Sequence, residues 1–228
     1  MPRTLRQAWA GHIAPDDYER HMAANGQPQA NAGLLDELFR ISPPAPGARI
    51  LFAGAGTGQY FDYWAPSSLA PYACVFTDIN PLYLARLAAR FPGESLVDDI
   101  EGPCVIGPFD LAIVMLVLEH VDWRCAAAAL CGLAGRVFTV TQEDPAVATL
   151  RPLPGTLAVL RDHPPKLIER AALIAHFGRL GFTLTRTAIR EVADGKKMVG
   201  LDFSGPAPAA RYHRAVHDHP ADPAAPEP

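Results

Sequence analysis

Arg49-Ile50-Leu51-Phe52-Ala53-Gly54-Ala55-Gly56-Thr57-Gly58-Gln59-Tyr60 decides how the rest of this 228-residue chain is organised. Ile50 to Phe52 is a short apolar run with β propensity that stops at three glycines in alternate positions, the pattern of a buried parallel strand passing into a tight turn. Glycine has no Cβ, so such a turn can lie against a bound nucleoside and take angles that other residues reach only at a cost. Twenty residues past Gly58, a second apolar run, Cys74-Val75-Phe76-Thr77, ends on Asp78. In an open α/β sheet a carboxylate there can accept hydrogen bonds from both ribose hydroxyls of an adenosine held over the turn.

Outward from this pair, strands and helices alternate. Pro81 follows the second strand and opens a helix with Leu84, Leu87, Ala88 and Phe91 at i, i+3, i+4 and i+7. Gln59 to Trp64 is expected to be the first turns of a helix closed by Pro66, and Leu96 to Ile100 a short third strand. Phe109 to Leu118, the most continuously apolar segment, has the pattern of a central parallel strand covered on both faces. Cys125–Leu133 is helix-like, Arg136–Gln142 forms a fifth strand, and a helix is expected over Pro165–Leu180, ended by Gly181. Strands over Phe182–Val192 and Lys197–Phe203 are joined by Ala193-Asp194-Gly195-Lys196, whose Asp-Gly pair signals a tight hairpin. The expected fold is therefore α/β, a doubly wound, mostly parallel seven-stranded sheet with a terminal antiparallel hairpin. That ending departs from a standard dinucleotide-binding domain.

Before the first strand, Pro15-Asp16-Asp17 suits a helix N-terminus, Asn25-Gly26-Gln27-Pro28 breaks that helix, and Leu34, Leu35, Leu38 and Phe39 stripe a second one. Residues 1–14 carry Trp9 but little pattern. The expected organisation is a helical lid over 1–44 and one α/β domain over 45–204, with a proline-rich insertion at 143–165 of the kind that is usually functional. A Pro/Ala-rich tail over 205–228, including His213, His217 and His219, is expected to be disordered.

A net charge of −4, with no basic cluster longer than Lys196-Lys197, argues against a nucleic-acid partner. The strongly apolar run Leu111–Leu118 is too short to cross a bilayer, so no membrane association and a cytoplasmic location are expected. The four cysteines hold no close metal-ligand pair; they are expected to be reduced thiols, with no metal site.

In this order of motifs the chain resembles the class I S-adenosylmethionine-dependent methyltransferases over roughly residues 45–203. The resemblance implies S-adenosyl-L-methionine as cofactor. Gly54, Ala55, Gly56 and Gly58 would lie under its amino-acid part, Asp78 would hold the ribose hydroxyls, and Ile79 would pack on adenine. Asp99 and Ile100 resemble the element that meets the adenine edge, although Asp98 is an equally placed carboxylate. Leu118-Glu119-His120-Val121 is similar to the segment after the fourth strand in small-molecule members, with Leu116 at the cofactor end of that strand. Asp17 to Met22, with Gln27, Gln29 and Asn31, resembles a cofactor-covering lid.

The cofactor's methyl is already activated, so the protein's task is to place an acceptor in line and exclude water; such positioning supplies roughly 7–11 kcal/mol. A general base helps only for a hydroxyl, thiol or protonated amine, and histidine is the economical choice. His120 is the candidate catalytic base, alternatively a strand-end cap; Tyr18, His21, Glu143 and His163 are substrate-side candidates. The expected reaction is methyl transfer to a small molecule by a monomer or homodimer. The alternatives are an NAD(P)-dependent oxidoreductase, disfavoured by Gln59 where a third glycine is expected, and a non-catalytic S-adenosylmethionine binder.

Overall fold

The computed structural model describes residues 4–91, 93–144, 153 and 155–208. Along strand β1 (Arg49–Ala53), Ile50 and Phe52 join one apolar cluster while Leu51 and Ala53 join another. That two-residue period defines two cores, one on each face of a sheet. The sheet is completed by β2 (Ala73–Asp78), β3 (Glu94–Val97), β4 (Leu111–Met115), β5 (Arg136–Glu143), β6 (Thr183–Glu191) and β7 (Lys197–Ser204). Among the described residues it has seven strands in the order β3-β2-β1-β4-β5-β7-β6. β1 to β5 run parallel, and β7 lies between β5 and β6, antiparallel to both.

Helices cover both faces. The segment before the sheet holds a short α1 (Leu5–Gln7) that runs on as a π-helical turn to His12, then α2 (Pro15–Ala24) and α3 (Gln27–Ile41). The crossovers supply α4 (Pro81–Arg90), α5 (Trp123–Leu133) and α6 (Arg170–Arg179). Leu34 and Leu38 of α3 and Leu87 of α4 pack with Phe52, Phe76 and Phe138 on one face. Leu130 of α5 and Phe177 of α6 pack with Val114, Leu201 and Phe203 on the other. Helix starts follow local chemistry: the Asn80 side chain caps α4 by accepting from Leu82 N, and Asp122 caps α5 by accepting from Arg124 N and Cys125 N.

The chain passes from β1 outward to β2 and β3, then returns to β4 on the other side of β1. A crevice opens where the winding reverses, at the carboxyl ends of β1 and β4. The Asp194-Gly195 hairpin is as expected, with φ of 61° and 71° at its two central residues, the primed geometry that suits strand twist.

Several boundaries differ from the sequence reading, among them β4, which covers Leu111–Met115 rather than the whole apolar run Phe109–Leu118. No α-helix follows the glycine turn; two 3-10 segments, Gln59–Asp62 and Pro66–Leu69, stand there, since Pro66 cannot continue the hydrogen-bond ladder. β3 lies earlier than expected, over Glu94–Val97, and leaves Asp98, Asp99 and Ile100 in the loop beyond it. α6 begins at Arg170 rather than Pro165. Gly155–Arg161, inside the expected loop, is a seven-residue 3-10 helix burying Leu157 and Leu160. The part of the insertion at 145–152 and 154, and the tail from 209 on with its three histidines, lie outside the described residues.

Candidate functional site

The turn after β1 holds three glycines at positive φ, the last of them Gly58 at +68°. Gly54 and Gly56 take φ of +64° and +61°; a Cβ on Gly54 would come within 2.5 Å of Val117 Cγ2, and one on Gly56 within 3.2 Å of the Tyr18 hydroxyl. Asp78, at the end of β2, is buried beside this turn. Its Oδ2 accepts from Gly56 N at 2.9 Å and its Oδ1 from Asn80 N at 2.8 Å. A carboxylate has about four lone-pair positions, so two remain for ligand hydroxyls. Burial raises the Asp78 pKa to about 6, against the opposing pull of the Asn80 and Gly56 N–H groups.

The neighbouring acids divide their roles. Asp98 accepts from Asp99 N and Cys104 N on Oδ1 and from Val105 N on Oδ2, so it folds the loop after β3. Asp99 accepts from Glu101 N at 3.0 Å and from Arg6 Nε at 2.6 Å. Asp98, Asp99 and Ile100 line one cleft together with Gly54, Gly56, Asp78, Ile79, Leu116 and His120. Ala55 and Gly58 line a smaller pocket next to it, across Gly54 and Met115. The expected cofactor residues therefore line two adjoining pockets that share Tyr18, Gly54 and Met115.

β4 ends abruptly because Leu116 takes φ of 57°, a left-handed conformation costly for a leucine; its N–H donates to Val140 O. The chain then turns through Leu118–His120. His120 is half-buried, its Nδ1 atom enclosed and unpartnered, and desolvation lowers its pKa to about 4, so the imidazole is neutral at pH 7.

The unpaired polar atoms indicate what the site would hold. Trp9 Nε1, Tyr83 OH and His120 Nδ1 belong to residues of the cleft; Asn31 Oδ1, Thr57 Oγ1, Gln59 Oε1 and Tyr60 OH belong to the smaller pocket. Buried polar groups without partners cost stability, and a set of them converging on a pocket fits a polar ligand. The smaller pocket offers hydroxyl donors from Thr57 and Tyr60 and amide oxygens from Asn31 and Gln59, which suit the carboxylate and ammonium of an amino-acid head. The residues present thus fit a nucleoside joined to an amino acid.

Several functional groups escaped the sequence reading. Arg6 and Trp9 line the cleft, Trp9 with its ring 4.7 Å from that of His120. Arg90 ties α2 to the glycine turn, donating to Glu19 Oε1 at 2.8 Å and to Thr57 O at 3.1 Å. Glu119, singled out only as part of a motif, is 3% exposed; its Oε1 accepts from Gln142 N, its Oε2 has no partner, and burial raises its pKa to about 7. A charged residue directly after the longest apolar run was the signal available for it. Of the substrate-side candidates, Tyr18 lies over Gly56 and lines both pockets. His21, Glu143 and His163 line neither; His21 lies against Asn25, and Glu143 holds Arg170 through two 2.8 Å bonds.

Neither a protein-family model nor a curated protein sequence matches the chain. Solved structures do. Magnesium protoporphyrin IX methyltransferase from Synechocystis PCC 6803, crystallised with SAM, superposes with a TM-score of 0.60 at 16% identity, over 79% of this chain and 80% of that one. This is a methyltransferase fold. The same fold is seen in the N-methyltransferase NodS from Bradyrhizobium japonicum WM9 (TM-score 0.56, 17% identity, 75% of this chain and 93% of NodS). It recurs in geranyl diphosphate C-methyltransferase from Streptomyces coelicolor A3(2) (0.56, 9%, 77% and 79%). These methyltransferases modify different kinds of atom in different molecules, so the shared fold does not fix the acceptor.

Proposed function

We propose that the protein is an S-adenosyl-L-methionine-dependent methyltransferase acting on a small molecule in the cytoplasm. The observation that carries the reading is Asp78, fixed between Gly56 N and Asn80 N with two acceptor positions left at the mouth of a glycine turn. Asp78 takes the ribose hydroxyls, Ile79 packs on adenine, and Asp99 with Ile100 meets the adenine edge. Gly54, Ala55, Gly56 and Gly58 lie under the amino-acid part, with Asn31, Thr57 and Tyr60 meeting its charged ends and Leu116 flanking the sulfur. When bound, the cofactor supplies an activated methyl group. The chain's own residues then orient the acceptor and keep water out; Trp9, Tyr18 and Tyr83 form an aromatic wall suited to a cationic sulfur, by ring contacts of 6.1 Å and 5.0 Å.

His120, neutral and with a free Nδ1, takes the proton of a hydroxyl, thiol or ammonium acceptor. No helix among the described residues is long and apolar enough to cross a membrane. Calorimetry with S-adenosylmethionine, S-adenosylhomocysteine and NAD tests the cofactor: binding of the first two and not the third is expected, and binding of NAD alone would refute the reading. Transfer of labelled methyl to a metabolite extract tests catalysis. His120→Ala is expected to slow that transfer by roughly 100-fold or more while leaving S-adenosylhomocysteine affinity within about threefold; tight binding with no transfer by the wild type would leave a cofactor binder instead.

A further inference from the structure

Gln59 stands where a dinucleotide-binding turn would carry glycine, and its partner fixes which way its amide points. Nε2 donates at 3.1 Å to Glu19 O of α2. A backbone carbonyl only accepts, so the amide nitrogen must face it and the amide oxygen must face away. That oxygen, Gln59 Oε1, is enclosed and unpartnered, and Gln59 lines the smaller pocket. None of the described residues lining that pocket has a charged side chain. An amide oxygen is an acceptor and so is a carboxylate, so of the two charged ends of an amino-acid head Gln59 can bind only the ammonium.

Outside the pocket, Arg90 at the end of α4 frames this residue. Its Nη1 donates to Glu19 Oε1 at 2.8 Å and to Thr57 O at 3.1 Å, its Nη2 to Glu19 Oε2 and Asp62 Oδ2 at 3.3 Å each, and its Nε to Asp62 Oδ1 at 3.0 Å. Every N–H of the guanidinium is thereby used. The residues it grips surround Gln59: Thr57 precedes it, Asp62 ends its 3-10 turn, and Glu19 supplies the carbonyl that its amide meets. Arg90 itself lines neither pocket. A lysine ammonium lacks the planar fork that holds two carboxylates and a carbonyl at once.

We propose that Gln59 is the residue that selects the cofactor's ammonium, and that Arg90 is its positioning residue, acting through Glu19, Thr57 and Asp62. The proposal rests on the cofactor assignment and deepens it at one end of the ligand. The carboxylate of the head is left to other donors of the pocket, so removing Gln59's amide affects recognition of one charged group and not of the other.

Calorimetry on the full chain tests this with S-adenosylhomocysteine, its deamino analogue, its decarboxy analogue, and methylthioadenosine, which lacks the whole head. Gln59→Met is expected to weaken S-adenosylhomocysteine and the decarboxy analogue by roughly tenfold, and the deamino analogue and methylthioadenosine by less than about twofold. Arg90→Lys is expected to weaken the first two by roughly threefold and to spare the other two. Equal weakening of all four ligands by either variant means a general disturbance of the pocket and overturns the proposal. So does unchanged binding of all four. If Arg90→Lys does not fold, Asp62→Asn, which loosens the same fork from its more exposed side, replaces it under the same criterion. A wild type that binds neither S-adenosylhomocysteine nor methylthioadenosine overturns the cofactor assignment and this proposal together. A wild type that binds both, with a Gln59→Met variant that does not discriminate between the analogues, overturns the role of Gln59 alone.

Discussion

The two halves of the cleft are built by different means. On the β1–β2 side, the partners of Asp78 are Asn80, two residues away, and Gly56, 22 away, and both bonds go to backbone N–H groups. On the β4–β5 side, Gln27 Nε2 donates to Gln142 Oε1 across 115 residues, Glu119 accepts from Gln142 N across 23, and Thr156 meets Asp17 across 139. A half made of local turns leaves a short motif in the sequence. A half that leans on contacts spanning 115 and 139 residues leaves none, because either partner could stand at many positions and still meet the other.

The difference can be attacked from the cofactor side first. Asp78→Ala is expected to weaken S-adenosylhomocysteine by roughly 100-fold or more, about 3 kcal/mol, since two charge-assisted bonds to ribose are lost. Lowering the pH should act in the same direction. With its folded pKa near 6, Asp78 protonates as pH falls through that value, and wild-type affinity is expected to drop roughly tenfold between pH 7 and pH 5. Calorimetry across that range checks both; an Asp78→Ala protein that binds as tightly as the wild type breaks the comparison.

Glu119 sharpens the other half. Its folded pKa is raised, from 4.5 to about 7, so the folded state holds a proton that the unfolded chain has lost, and stability falls as pH rises between those values. The melting temperature of Glu119→Gln relative to wild type is therefore expected to rise from pH 5 to pH 8, by the equivalent of up to about 3 kcal/mol. A difference constant with pH would show that Glu119 is ionised throughout. Gly54→Ala should cost about 2 kcal/mol of stability or more, from the positive φ and the Val117 contact, read by urea denaturation. Arg170→Ala removes only a half-exposed ion pair with Glu143, and a loss under about 1 kcal/mol is expected. A larger loss would mean that this pair anchors the insertion.

The fold was largely legible because hydrophobic periodicity and turn chemistry are local. The Asp194-Gly195 pair announced its hairpin, and the unbroken apolar run announced β4. Periodicity failed where the signal was short: Leu96-Val97 marks β3, but Asp98 to Ile100 leave the sheet because Asp98 draws the N–H groups of the next loop to itself. Trp9 was unreadable for another reason. Its importance comes from the cleft that it faces, and nothing in its neighbours along the chain points there.

β7 has a consequence for how the molecule is made. Six of its eight residues are buried, and it is wedged between β5 and β6 although among the described residues it is the last strand in sequence. During synthesis at roughly 5–20 residues per second, β5 must wait several seconds with one flank unpaired, and β6 emerges with no neighbour to join. The nascent sheet is thus open along its middle until the final strand slides in, and that interval is when this chain is most exposed to sticking to other copies of itself.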